Sequence, residues 1–276
     1  MWSPSMSVVR VGLSHKAISI GKVPLLGRGR VQAVEHLSCS ADPLVDEPWR
    51  AAVERLSLWL ESNQGQSHRV QVVLSGRFVR WQLLPWRLEL SGRDEMAAYA
   101  ALRFRETYGK SAQNWSILPA AMAPGHTVPA AAVDRALLEA LASVCERHGA
   151  RLQWLTAYFS SAFDAWRGVL KEPNAWFGTV EADTLTLGLL QAGQWTALQS
   201  QRLSGDWRTP LLALLAQIAM ACDVPQMELP LYLAGEGPAP SVATIAGATG
   251  DQAFTWLSPW QMGLGATPGL RLALGR

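Results

Sequence analysis

One order of elements occurs twice in this chain, and that repetition constrains its fold more than any single motif. In the first half, three strand-like runs (Val8 to Leu13, Ala17 to Val23 and Arg30 to Cys39) precede a helix near Pro48 to Glu61 and a hydrophobic strand, Val70 to Ser75. In the second half, Trp176 to Val180, Thr184 to Gln191 and Trp195 to Arg202 precede a helix near Trp207 to Cys222 and the strand Leu231 to Ala234. Trp49, Val53, Leu56 and Leu60 share one face of the first helix, and Leu211, Leu215, Ile218 and Cys222 form the apolar seam of the second. A repeated βββαβ unit implies an α/β protein of two similar lobes, with function sought in the cleft between them.

The segment after the first repeat has no counterpart in the second. Phe78 to Pro85 reads as a strand and Ser91 to Tyr108 as a helix, with Ser91 and Glu95 placed for capping and Gly109 as its stop. Two further strands, Asn114 to Ala120 and Thr127 to Ala132, flank the turn Ala123-Pro124-Gly125. This β-α-β-β block, about residues 76–132, reads as a subdomain inserted into the first lobe. Asp134 is placed to cap a helix reaching His148, and Gly149 ends it; a strand, Arg151 to Thr156, and a helix, Ser160 to Leu170, follow. Lys171-Glu172-Pro173-Asn174 breaks the pattern and divides the lobes into 1–172 and 173–276. Beyond Ala234 the pattern predicts a helix from about Ser241, a short strand near Phe254 and a glycine-rich tail.

Composition excludes several function classes. The net charge of the 276 residues is +2, with Lys and Arg scattered, so the basic stripe of a nucleic-acid binder is absent. The most apolar stretch, Pro210 to Cys222, is interrupted by Gln217 and is about half the length of a bilayer span. The first ten residues lack a basic region followed by an apolar run, so a cytosolic protein is expected. Cys39, Cys145 and Cys222 are far apart and read as buried thiols. The five histidines show no zinc-ligand spacing, and neither a nucleophile elbow nor a P-loop occurs. Val8 to Leu13 carries no carboxylate for a two-metal nuclease.

The layout resembles the actin-like, ribonuclease-H-like duplicated fold, and within it the PilM-like proteins and the cytoplasmic domain of the GspL-like proteins of type IV pilus and type II secretion machines. The residues that carry the resemblance are Val72-Val73-Leu74-Ser75 leading into Val79 to Pro85, the insertion, the segment Val133 to Trp154, and Leu231-Tyr232-Leu233-Ala234-Gly235-Glu236-Gly237. The resemblance implies a cytoplasmic scaffold, peripheral to the inner membrane. It would hold the short cytosolic N-terminal tail of a membrane partner in a groove near the insertion, and many members bind ATP between the lobes. GspL-like chains continue into a membrane span and this one stops at Arg276, so the PilM-like arrangement is the better match. Self-association is left open.

The family's first strand supplies Asp-x-Gly and a small glycine-containing turn, whereas the corresponding stretch here is Val11-Gly12-Leu13-Ser14-His15-Lys16, with no acid. The matching turn of the second lobe, Glu181-Ala182-Asp183-Thr184, keeps acid and hydroxyl without glycine. Lys16, Asp183, Thr184, Gly235 and Gly237 are therefore the candidates for a degenerate nucleotide cleft. Each also has a plain reading: a solvated turn lysine, hairpin-turn residues and glycines after a strand. The expectation is a pseudo-ATPase with no catalytic residue, no metal and no resident cofactor; the alternative is an active member in which Asp183 and the glycine loops hold Mg-ATP. Trp81, Trp86 and Trp115, in or beside the insertion, are candidates for gripping the partner tail, against core packing of that subdomain.

Overall fold

The structure, a computed structural model, describes residues 7–24, 34–39, 47–63, 68–90, 92–121, 123–225, 228–235, 244–247 and 250–257. The first repeat forms β1 (Ser7–Leu13), β2 (Ala17–Pro24), β3 (Val34–Ser38), α1 (Arg50–Ser62) and β4 (His68–Leu74). The inserted block follows as β5 (Val79–Leu84), α2 (Arg93–Tyr108), β6 (Trp115–Pro119) and β7 (Val128–Asp134). α3 (Arg135–Arg147), β8 (Arg151–Ala157) and α4 (Tyr158–Trp166) complete the first lobe. The second repeat gives β9 (Ala175–Val180), β10 (Thr184–Gln191), β11 (Gln194–Arg202), α5 (Arg208–Cys222) and β12 (Leu231–Gly235). The last described elements are β13 (Thr244–Gly247), β14 (Gly250–Ala253) and β15 (Thr255–Leu257).

The duplication predicted from sequence is present in the strand order. One five-stranded sheet runs β3-β2-β1-β4-β8 and the other β11-β10-β9-β12-β15, each an antiparallel meander continued by two parallel strands. Parallel pairing of β1 with β4, from Ser7↔His68 to Leu13↔Leu74, requires a crossover, and α1 supplies it. α5 does the same between β11 and β12.

Three apolar cores explain why the lobes hold together. Val9, Val11 and Leu13 of β1 and Val70, Val72 and Leu74 of β4 alternate toward α1 and α3, where Leu56, Leu60, Leu137 and Leu141 are buried. Leu185, Leu187 and Leu189 of β10 meet Leu211, Leu215 and Ile218 of α5. Between these cores lies α4, whose Tyr158, Phe159, Ala162 and Trp166 pack against Val73 of one sheet and Phe177, Leu198 and Ala234 of the other. A helix buried on so many sides makes the lobes share one interior.

The insertion has its own sheet, β5-β7-β6, with α2 on one face through Met96, Ala100 and Phe104 against Leu84, Val128, Ala130 and Ala132. Local rules of the sequence hold here. The Asp134 carboxylate accepts from Ala136 N at 2.9 Å at the start of α3, and Gly149 turns the chain after it at φ +66°. The Glu95 carboxylate accepts from Gly92 N at 3.3 Å at the start of α2; Ser91, the predicted partner in that cap, lies outside the described residues.

Two expectations are corrected. Where a helix was predicted from Ser241, Thr244–Gly247 is a strand paired antiparallel with β14, from Thr244↔Ala253 to Gly247↔Gly250; residues 241–243 lie outside the described set. The β-branched pair Thr244 and Ile245 favours a strand, and Ile245 buries its side chain in the α5 core. Of the three thiols only Cys145 is fully buried, its pKa pushed up to about 11 by burial; Cys39 and Cys222 are half-buried. Among the described residues no helix is long and apolar enough to cross a membrane.

Candidate functional site

The two lobes meet at their first hairpins, the region that the sequence singled out as a candidate nucleotide cleft. Both turns are minimal. Ser14 N donates to Ala17 O at 3.0 Å, leaving only His15 and Lys16 in the first loop, and Glu181 N donates to Thr184 O at 2.8 Å, leaving Ala182 and Asp183 in the second. A two-residue hairpin spends its backbone groups on closing itself. Thr184 Oγ1 donates to Asp183 Oδ1 at 3.2 Å and Leu203 N to Asp183 O at 2.8 Å, so this acid and hydroxyl serve their own turn. Lys16 is exposed at its tip.

Between the hairpins, Glu181 crosses from the second lobe to the first. Its Oε1 accepts from Gly76 N at 2.8 Å, and the carboxylate is buried, with 5% of the residue exposed. Gly76 follows Ser75 at the end of β4, and the absence of a side chain permits the approach. A Cβ there would lie 2.9 Å from Glu181 Oε1 and 3.1 Å from Thr184 Cγ2 and Thr186 Oγ1. The space left among Ser14, Lys16, Ser75, Glu181 and Asp183 is about 10 Å³, room for about one water molecule. Gly235, on the predicted adenosine side, is the last residue of β12. A Cβ on it would meet Val180 O at 2.6 Å and the Trp256 ring at 2.7 Å, so packing accounts for this glycine; Gly237 lies outside the described residues.

Space is found elsewhere. A groove of about 540 Å³ opens between the insertion and the lobe junction. Its floor is the face of the β5-β7-β6 sheet turned away from α2, with Val79 and Trp81, Ala131 and Val133, and Ser116 and Leu118 side by side. The opposite wall is α4 and β11 through Phe159, Ser160, Phe163 and Trp195. The wall is rigid. Phe163 and Trp195 rings are 4.7 Å apart, Phe159 lies 5.4 Å from both Trp195 and Phe177, and Thr127 Oγ1 donates to the Trp195 carbonyl, tying insertion to second lobe.

The three candidate tryptophans separate. Trp81 lines the groove, edge-on to Phe159 at 5.7 Å, with its indole N–H buried. Trp115 lies on the other side of the sheet, 5.0 Å from Tyr108 and 6.4 Å from Phe104 with Arg80 over its ring at 6.0 Å, and belongs to the α2 core. Trp86 is half-buried in the connection from β5 to α2. Lys16 and Asp183 line the same hollow of about 10 Å³, and Thr184 is hydrogen-bonded to Asp183 beside it. Sequence reasoning did not single out Gly76 or Glu181 as site residues, although a glycine directly after the predicted strand Val70 to Ser75 was a signal for a close approach.

No family model and no curated protein matches the chain in sequence. Solved structures do match in shape, and they define its class: an actin-like, two-lobed protein of the PilM and EpsL cytoplasmic-domain type of fold. A chain of the PilM-PilN type IV pilus biogenesis complex superposes with a TM-score of 0.63 at 15% identity, over 99% of this chain and 98% of that one. The cytoplasmic domain of EpsL, an inner membrane component of the type II secretion system of Vibrio cholerae, gives 0.58 at 13% identity over 98% and 92%. A Bacteroides thetaiotaomicron protein with an actin-like ATPase fold and unknown function gives 0.58 at 14% identity over 86% and 84%.

Proposed function

We propose that this protein is a non-catalytic scaffold of a pilus or secretion assembly at the cytoplasmic face of the inner membrane, and that it grips the extended cytosolic tail of a membrane partner in the groove beside the insertion. The observation that carries this reading is the apolar groove of about 540 Å³, whereas the described residues of the two hairpins leave a hollow of about 10 Å³ between them. A groove of that volume, floored by a sheet and walled by aromatic rings, suits an extended apolar segment of a few residues. The resemblance to PilM, solved as a complex with PilN, supports a partner of the same kind.

The geometry of the hairpins supports a loss of nucleotide chemistry. The Glu181 carboxylate takes up the Gly76 N–H, and a buried negative charge at this position repels a phosphate. The ATP-binding alternative requires the Glu181 to Gly76 hydrogen bond to break and both lobes to part around the shared α4 core.

The reading is tested by fluorescence anisotropy with synthetic peptides of the cytosolic N-terminal tails of single-span inner-membrane proteins from the same organism. Ser160→Trp fills the groove from its wall and abolishes binding while leaving the melting temperature within a degree or two. Undiminished binding to that variant would place the tail elsewhere.

A further inference from the structure

The groove covers only one face of β6, and the strand's outer edge is bare. β6 is terminal in the β5-β7-β6 order, and no described strand lies beyond it. We infer that β6 is a docking edge: an extended strand of the partner pairs along it, sending alternate side chains into the groove and a carboxylate to an arginine shelf on the opposite face. This rests on the groove reading for one of its two faces.

The hydrogen-bond register fixes which groups are available. Ala120 N donates to Pro129 O at 2.8 Å, so with Leu118 opposite Ala131 and Ser116 opposite Val133, the main-chain groups of Ser116 and Leu118 turn inward to β7. Those of Ile117 turn outward, where no neighbouring strand meets them. Trp115 N is taken by Ala112 O, and Pro119 has no N–H, so the edge is short and bounded at both ends. A strand centred on Ile117 is therefore placed in a single register.

Side chains alternate in the same way. Ser116 and Leu118 face the groove, and Leu118, 76% exposed, is open to an apolar group of the partner. Trp115 and Ile117 face a second hollow of about 380 Å³ floored by Ala98, Ala101 and Leu102 of α2. That hollow is basic: Arg105 and Arg135 line it, and the Arg80 guanidinium lies over the Trp115 ring behind it. Among the described residues neither Arg105 nor Arg135 is in an ion pair: Glu106 is held by Arg103 at 2.7 Å, Asp134 caps α3, and Arg135 donates only to the Trp115 carbonyl at 3.5 Å. A partner strand with aliphatic residues at i and i+2 and an acid at i+1 fits both faces at once.

Two labelled seven-residue peptides, Gly-Val-Glu-Val-Glu-Val-Gly and its lysine counterpart, blocked at both ends, test this on the full chain by anisotropy. The glutamate peptide binds about tenfold more tightly than the lysine peptide, and Arg105→Glu with Arg135→Glu, both exposed positions, inverts that preference. On binding, the Ile117 amide gains protection from hydrogen exchange. Equal affinity for the two peptides, no binding below about 1 mM, or protection away from β6 overturns the inference. Binding lost in Ser160→Trp but unchanged by the arginine reversal leaves the groove standing and removes the edge; the opposite pattern removes the groove.

Discussion

Glu181 is the residue on which the closed cleft turns. It is buried and hydrogen-bonded across the lobes, so Glu181→Ala leaves Gly76 N without its acceptor and should lower stability by about 1–3 kcal/mol, read as a shift in denaturant midpoint. Gly76→Ala, which forces a methyl against Glu181, Thr184 and Thr186, should destabilise by a comparable amount, and a double mutant should cost less than the sum of the two. His68 supplies a pH dependence. Burial at the start of β4 holds its pKa below the usual value, with the nearby Lys22 charge acting in the same direction. The unfolded chain therefore takes up the proton first as pH falls, and stability drops below about pH 6.5. His68→Gln should flatten that part of the stability profile measured by urea titration between about pH 7 and 5.

At the scale of elements, the capping residue of α3 and the wall of the groove make separable predictions. Asp134→Ala should cost about 1 kcal/mol through loss of the bond to Ala136 N, with no change in tail binding. Gly188→Ala should weaken tail binding more than its stability loss explains. The Trp195 ring lies directly over Gly188, and an added methyl pushes that ring from the groove wall; anisotropy and thermal melts on the same sample separate the two effects. Much of this level was legible in sequence. The period of Leu137, Leu141, Val144 and Cys145 placed α3, and Asp134 and Gly149 marked its ends, because caps and apolar faces are local signals. The hairpin at Thr244 was not, since short mixed runs such as Thr244–Gly247 satisfy helix and strand patterns alike until a partner strand is known.

For the whole molecule, the repeated order of elements announced both sheets, yet it could not show how tightly the lobes close. That depends on Gly76 meeting Glu181, 105 positions apart, a contact no local pattern encodes. The same holds for Trp115, whose place inside the α2 core rather than the groove is settled by which face of β6 it occupies. Because α4 packs into both sheets, thermal unfolding should be one transition, coincident by far-ultraviolet dichroism and tryptophan fluorescence; two separated transitions would mean that the lobes are independent. On the proposed reading, the lobes come together without a nucleotide. Isothermal titration calorimetry of the full chain with Mg-ATP measures that directly: the closed cleft predicts no saturable heat up to about 1 mM, whereas micromolar binding that disappears in Asp183→Ala would contradict it.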